Sequence, residues 1–594
     1  MEKGIININL KRFFLIIKKF LYSNNYIFIR ELISNANDAI IKLIKIIKIK
    51  KLNIPINSLN INIFLKKNKN TITILDNGIG MTKKEIIKYI NNVATSGSDF
   101  FLNKSWKNNI IGFFGLGFYT SFFVSDKVEI LSKSYINKEL PVYWCWKGNI
   151  KFYLKELKYG TIDRGTKIVL HINNKYKKYL ENNIIYNLLK KYFNFLPCPI
   201  YLNNKSINYH YPIWIKNKIN NNEFIDFYHY LYKDKYDPIF WIHLNTSSPF
   251  NLKCILFLPT INKYINIKEN YIFFYYKKIL ITNNIKEILP DVLVLFKGII
   301  ESPDILFNIS KSNIKNDKKL LTISDYIIIN LIKKILYEIE YNRKEIINKW
   351  RYLEPFIIYG ILSNYNFLTN YKKLILLKHI KNKYLTINEL IKKIKIKKKQ
   401  IDKNNRIVIL YSNNYNLQYH YIKLAIKNGY KDIIINTNSM FLHMIQKLEI
   451  INNNLLFVSV DSDLSEIFII NSNKIEKNTK KKFLEFIKKK IIINKKFHIK
   501  IKNLSNKISP IYITKPEFIN RYKKINFLKK NKNVKYNLVI NINNKNIKKI
   551  IKIVDIKKKK KTFKILLNFY FLLNNLLEGK KLNKFINKII NYIL

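Results

Sequence analysis

Three side chains near the start of the chain have the types and spacing to act together. In Arg30-Glu31-Leu32-Ile33-Ser34-Asn35-Ala36-Asn37-Asp38-Ala39 and its flanks, Phe28, Leu32, Ile33, Ala36, Ile40 and Leu43 recur at helical spacing, so a helix is predicted. Glu31, Asn35 and Asp38 are then four and three residues apart and share one face. Two acids and an amide are an odd set to bury on an otherwise apolar helix. Taken alone, the triple also suits a solvated polar stripe.

Three further elements change the weighing. In Thr71-Ile72-Thr73-Ile74-Leu75-Asp76-Asn77-Gly78-Ile79-Gly80-Met81 a short β-type run ends in an acid and turns through two glycines, which allow close backbone approach to a ligand. Thr82 and Glu85 then form a capping-box pattern that opens another helix. Gly112-Phe113-Phe114-Gly115-Leu116-Gly117-Phe118 is a glycine-rich loop before the apolar run 119–124, and backbone N–H groups at such a helix start can cradle phosphates. Such a loop alone is a weak nucleotide signal. Arg164-Gly165-Thr166-Lys167-Ile168-Val169-Leu170 reads as a turn leading into a strand.

In this order the four elements resemble the nucleotide site of the ATPase superfamily shared by gyrase B, MutL-type repair proteins, sensor histidine kinases and the heat-shock protein 90 chaperones. The wording is most similar to the last, bacterial type. IFIRELISNANDA (27–39), DNGIGMT (76–82), SGSDFF (96–101), IGFFGLGFYTSFFVSDKV (111–128) and RGTKIVLHI (164–172) carry the resemblance. It continues through PIWIKNK (212–218), FYHYLYKDKYDPIFWIH (227–243), CILFLP (254–259) and ILPDVLVLFKGIIESPDILFNISKS (288–312), then thins after about 320.

Hydrolysing ATP requires a base for water, a divalent ion on the phosphates, donors for the developing charge and exclusion of bulk water. The resemblance implies Glu31 as the water-activating base and Asn35 as the ligand of Mg2+, a hard ion that needs few protein oxygens. Asp76 would accept from the adenine amino group, with Thr166 and Gly80 completing that contact and Asp38 and Met81 lining the pocket. Gly112, Gly115, Gly117 and Phe118 match the phosphate loop. Ser96 and Gly97 fall in a lid at about 82–111, the loop- and helix-like stretch between two binding elements. Lys311 matches a middle-domain arginine that reaches the γ-phosphate. Four positions depart from the family pattern: Thr95 and Lys311 replace a lysine and an arginine, and Phe113 and Lys315 replace glutamines. A lysine keeps the charge of arginine and loses its planar fork. Binding should survive these changes, whereas they leave open the rate of hydrolysis and its coupling to domain closure.

Composition bounds the reading from outside. The 594 residues suffice for several domains, and 48% hydrophobic with 14% aromatic content argues for packed cores. Lys, Asn, Ile, Tyr and Phe dominate, as expected of an A/T-biased genome. The net charge of +68 would suggest nucleic acid or an anionic membrane. The lysines, however, read as spread over the whole chain with only short runs at 397–399 and 557–561, chiefly solvated surface. Cys145, Cys198 and Cys254 have no paired spacing, which fits a reducing compartment without disulfides or zinc. The eight histidines form no ligand cluster. No apolar run approaches the ~18 residues of a membrane span. Leu10, Phe13, Phe14, Ile17 and Leu21 read as an amphipathic, core-facing helix.

The expected architecture is α/β and α+β multidomain. Residues 1–208 form an ATP-binding α/β sandwich with helices on one side of a mixed or antiparallel sheet, 209–475 an α/β middle domain that is bipartite near 340, and 476–594 a small, mostly helical dimerisation domain. A β-rich run at 406–410 precedes a helix at 419–428, and the chain closes on helices at 566–577 and 582–594 with broad apolar stripes. The resemblance implies an ATP-dependent chaperone: a cytoplasmic homodimer joined through these helices that remodels unfolded or partly folded clients, without specific nucleic acid or membrane contact. A nucleotide-binding holdase with degenerate hydrolysis is the second reading. A DNA-handling ATPase is disfavoured by the want of an acidic metal cluster after the ATPase unit. A histidine kinase is disfavoured because no phosphoacceptor-helix pattern surrounds a histidine.

Overall fold

The computed structural model describes residues 26–593 except 93–114, 149–150, 159–161, 209–211, 261–271, 284–288, 306–317, 398–399, 437, 439, 463–476, 492–496, 505–508, 515–516, 518–520, 522–535 and 575. The helix expected around Leu10–Leu21 and most of the proposed lid fall outside these residues. Two compact units, Met1–Ile327 and Ile328–Leu594, are each described on their own.

The first unit opens with helix α1 (Ile27–Lys50) and an eight-stranded sheet of β1 (Ile61–Lys66), β2 (Thr71–Asp76), β3 (Ser125–Lys133), β4 (Val142–Trp146), β5 (Phe152–Glu156), β6 (Gly165–Ile172), β7 (Ile200–Leu202) and β8 (Lys205–Ser206). The strand order is β5-β4-β3-β6-β2-β1-β7-β8, antiparallel throughout except β1 against β7. The mixed sheet expected from sequence is therefore present. Alternation along β3 buries Val128, Ile130 and Ser132 on one face. There they meet α1 and α3 (Asn182–Phe193), whose Phe28, Leu32, Leu43, Ile185 and Leu189 share a core with Ile63, Ile72 and Leu170. Truncating one such side chain to alanine costs about 2–5 kcal/mol. The capping box read at Thr82 and Glu85 opens α2 (Lys83–Tyr89), each side chain bonded to the other's backbone.

The same core runs into a second sheet, ordered β12-β11-β13-β10-β9, from β9 (Phe240–Thr246), β10 (Leu252–Leu258), β11 (Ile272–Tyr276), β12 (Ile279–Thr282) and β13 (Lys297–Glu301). Near-continuous burial along β10 and β13 means both faces are covered. One buried carboxylate sits there with its partners: Glu301 accepts from the Trp214 indole at 2.6 Å and from the Lys278 N–H at 3.0 Å.

The second unit begins within α4 (Lys318–Tyr341), followed after Asn342 by α5 (Arg343–Ser363). Its five-stranded sheet is ordered β15-β14-β17-β16-β18, from β14 (Leu376–His379), β15 (Tyr384–Thr386), β16 (Ile407–Ser412), β17 (Ile433–Ile435) and β18 (Leu455–Ser459). β16 lies parallel to both neighbours through crossovers α6 (Tyr419–Lys427) and α7 (Phe441–Ile451), so the strand and helix read at 406–428 are both there. A three-stranded sheet, β19 (Phe497–Lys502), β21 (Tyr536–Asn541) and β20 (Ile511–Thr514) in that order, packs with α8 (Lys477–Lys490), α9 (Lys545–Lys552) and α10 (Ile556–Leu573). Arg521 joins this segment to α7 through Glu449 at 2.5 Å. The closing helices are α10 and α11 (Gly579–Ile593). The first starts ten residues earlier than the apolar stripe suggested, because the Asp555 side chain accepts the Lys557 N–H and caps it.

The three cysteines are buried and unpaired by disulfide. Among the described residues no helix is long and apolar enough to cross a membrane.

Candidate nucleotide-binding and hydrolytic site

α1 is a long helix without glycine or proline, and Lys48 and Lys50 in its last turn suit the negative end of its dipole. Its predicted apolar face is buried as expected. The polar triple does not behave as a solvated stripe: Glu31 is 3% and Asp38 5% exposed, with Asn35 half-buried between them. Burying two acids on one helix is costly unless each meets a matching environment.

Glu31 meets a glycine. A Cβ on Gly117 would lie 2.4 Å from Glu31 Oε2 and 3.2 Å from Glu31 Cβ, so a side chain here would displace the carboxylate. Gly117 caps the 3-10 turn Phe118–Phe123, and Gly115 two residues earlier has φ +62°. Thr120 Oγ1 donates to the Gly117 carbonyl at 2.6 Å, and Phe118 packs edge-on to Trp144 at 5.9 Å. The described end of the predicted phosphate loop thus rests on the predicted base. Asp38, one turn beyond Asn35, lies in the field of Lys42 and Tyr276. Burial lowers the Lys42 ammonium against the pull of Asp38 and Glu85, and burial with the Asp38 charge pushes the Tyr276 phenol up to about 12.

Asp76 ends β2, paired with Thr166 of β6, and its carboxyl is 4% exposed. Burial pushes it up to about 7, against the opposing pull of the Gly78 and Thr166 backbone donors; the Gly78 N–H donates at 2.9 Å. Gly80 has φ +66°, and a Cβ there would sit 1.8 Å from the Lys133 carbonyl oxygen. The turn is docked on α1, with the Ile79 N–H donating to the Ala39 carbonyl at 3.2 Å. Ala39 and Glu31 are eight residues apart, roughly 12 Å along a helix. One rigid element therefore holds the glycine loop near its start and the acid-bearing turn near its middle.

Ser132 was not anticipated. Its Oγ lies 2.9 Å from Thr166 Oγ1, 3.1 Å from the Gly165 carbonyl and accepts the Met81 N–H at 2.9 Å, tying two predicted pocket residues, Thr166 and Met81, into one network. The signal was present: Ser132 follows Val128 and Ile130 at an inward position of β3, where a polar residue is anomalous. Asn37 also lies behind the site, fully buried, and its Oδ1 faces the Cys198 thiol at 3.6 Å.

The structure brings together Glu31, Gly117 and Phe118 at one end, and Asp76, Gly80, Met81 and Thr166 at the other, with Asn35 and Asp38 on the helix that joins them. Ser96, Gly97, Gly112 and Lys311 lie outside the described residues, as do Thr95, Phe113 and Lys315. Among the described residues no group of three or more His, Cys, Asp or Glu side chains assembles as a metal site.

Residues 23–147 match the family model described as histidine kinase-, DNA gyrase B- and HSP90-like ATPase, and residues 201–592 match that of Hsp90 protein. The chain is 35% identical to the chaperone protein HtpG of Bacteroides fragilis, covering 93% of this chain and 84% of the relative. It is 31% identical to HtpG of Porphyromonas gingivalis, with the same coverage. A mitochondrial TNF receptor-associated protein 1 homologue of Dictyostelium discoideum is 33% identical over 54% of this chain and 46% of its own. With an ATPase fold at its start and matches across most of its length, the chain belongs to the heat-shock protein 90 family of ATP-dependent molecular chaperones.

Proposed function

We propose that this chaperone binds ATP with its adenine at Asp76 and its phosphates at the Gly115–Gly117 end of α1, and that Glu31 takes the proton from the attacking water. The contact between Glu31 and Gly117 carries the reading, because it sets a buried acid where a phosphate loop ends. Thr166 and Met81, held by Ser132, would complete the adenine contacts together with Gly80, and Asp38 the pocket wall. Gly112 and Phe118 complete the phosphate loop, Ser96 and Gly97 belong to the lid at about 82–111, and Lys311 of the middle domain supplies positive charge to the γ-phosphate.

The donor set suits Mg2+. The half-buried Asn35 side chain, one turn from Glu31, offers an amide oxygen of the kind taken by an ion that uses one or two protein oxygens and keeps the rest for phosphate and water. When bound, the ion neutralises phosphate charge. Residues 1–208, 209–475 and 476–594 are the proposed ATPase, middle and dimerisation domains. Clients are unfolded or partly folded proteins, met in the cytoplasm. Two copies would join through α10 and α11, where Phe569, Leu572, Leu573, Ile586 and Ile590 are exposed, although Phe563 and Leu567 are spent on the domain's own core.

Nucleotide binding and turnover by the full-length protein and Glu31→Ala form the test. The variant should bind ATP like the parent and lose hydrolysis by roughly 10²–10⁴-fold. Loss of binding would make Glu31 structural, and a parent that binds without turning over would be a holdase.

A further inference from the structure

The positive charge is not spread as the short lysine runs suggested. Residues 477–594 carry 34 Lys and Arg against 4 acids, a net +30, whereas residues 1–476 carry 73 against 35, a net +38 over four times the length. A coding bias toward A and T acts on both stretches alike, so it does not account for the about threefold difference in charge density.

The fold then gathers this charge. Phe483 and Ile487 of α8, Ile547 and Ile550 of α9, and Phe563 and Leu567 of α10 are buried in one core with alternate residues of β20 and β21. The three helices therefore form a layer on one face of the small sheet. α8 meets α10 through the Phe483 and Phe563 rings at 5.8 Å. Lys559 locks the layer, its Nζ donating to the Ile551 carbonyl at 2.8 Å while lying 5.5 Å from the Phe486 ring centroid. The sides turned away from the core carry 13 exposed lysines, and Glu485 is the one acid within the three helices. On α8, α9 and the first half of α10 no described aromatic ring is exposed.

We propose that this three-helix layer binds the phosphodiester backbone of nucleic acid without reading its sequence. Lysine heads on three adjacent helices match a line of phosphates, and without exposed rings there is no platform on which a base could stack. An anionic membrane fits less well. A membrane-surface helix sets bulky apolar side chains beside its lysines, whereas α8, α9 and the lysine-bearing half of α10 add only Val554 and Ile556 at the α9–α10 corner, 93% and 58% exposed, and the exposed Phe569, Leu572 and Leu573 lie beyond Lys564, the last lysine of α10.

The test is fluorescence anisotropy of the full-length protein with a labelled DNA duplex of about 20 base pairs across a potassium chloride series. Binding at low salt should weaken steeply, with a log–log slope near −0.9 for each phosphate contacted. Reversal of Lys545, Lys549, Lys552, Lys558 and Lys560 to Glu should weaken binding at least tenfold, flatten the slope by about four, and leave ATP turnover unchanged. The five-Gln version guards against misfolding of the Glu set and should give a smaller loss in the same direction. Reversal of Lys66, Lys69, Lys151, Lys155 and Lys175, all exposed in the first unit, changes net charge equally and should leave binding within about twofold. An equal loss in both sets would assign binding to overall charge and overturn the proposal. So would absence of duplex binding at low salt, or tighter binding to vesicles of phosphatidylglycerol and phosphatidylcholine than to the duplex at matched salt.

Discussion

Acidification from pH 8 to pH 6 should weaken binding of adenosine about tenfold, and the cause is one carboxyl group. Asp76 is buried at the end of β2 and its carboxyl is pushed from 3.8 up to about 7 by that burial, despite backbone donors at Gly78 and Thr166. An adenine amino group donating to Asp76 selects the ionised form. About nine-tenths of the groups are ionised one unit above such a value and about one-tenth one unit below it, a difference of ~1.3 kcal/mol in apparent affinity. Adenosine is the ligand of choice because it carries no phosphate proton of its own, and calorimetry in buffers of different ionisation heat would also register proton release near pH 7. Affinity that is flat across this range, or that improves on acidification, would refute the assignment. Asp76→Asn should bind ten- to a hundredfold more weakly at pH 8, since a charge-assisted bond in a buried site is lost. Without nucleotide the sign reverses. The folded carboxyl holds its proton above 3.8 while the unfolded one releases it, so this group's contribution to stability falls as pH rises from about 4 to about 7 and then levels off. The fall amounts to at most ~4 kcal/mol. The nucleotide-free Asn variant should therefore melt higher than the parent at pH 8 and gain nothing at pH 4.

Further outcomes follow from other contacts. Gly117→Ala drives a Cβ to 2.4 Å from the Glu31 carboxylate, so the loop or the acid must shift, and turnover should fall at least about tenfold in a protein whose circular dichroism is unchanged. Lys311→Arg should raise turnover by restoring a bidentate donor, and equal rates for Arg and Ala at this position would remove the middle domain from the chemistry. Truncation before Thr562 would strip Phe563 and Leu567 from a core as well as any partner surface, so Leu573→Lys with Ile590→Lys is the cleaner probe. Those side chains are 55% and 46% exposed, and the double variant should sediment as a folded, ATP-binding monomer at micromolar concentration while the parent is dimeric.

What could be read from the chain alone was whatever repeats at short range. The helical period around Glu31, the capping box at Thr82 and the alternation into Asp76 each depend on residues within a turn or a strand of one another, and each has its element in the structure. What could not be read depends on pairing between distant strands. Ser132 joins Met81 and Thr166 only because β3 lies beside β6, and Tyr276 reaches the field of Asp38 from a strand some 240 residues away. The basic layer escaped notice for a related reason. Its lysines sit on three separate helices, and each run looks short until one core draws the helices side by side.

The helix that joins Ala39 to Glu31 acts as a ruler of fixed length. On the proposed binding mode, a nucleotide held at Asp76 would be measured against Glu31 over a helical span of roughly 12 Å, a length that does not depend on the terminal phosphate. In that mode a diphosphate product would keep the contacts at the adenine end and forfeit only those near Gly117. Product inhibition should then be strong, and the cycle's directionality must come from whatever grips the far end of the nucleotide. In such a machine the adenine grip would confer residence, while only the last few ångströms would report whether the fuel has been spent.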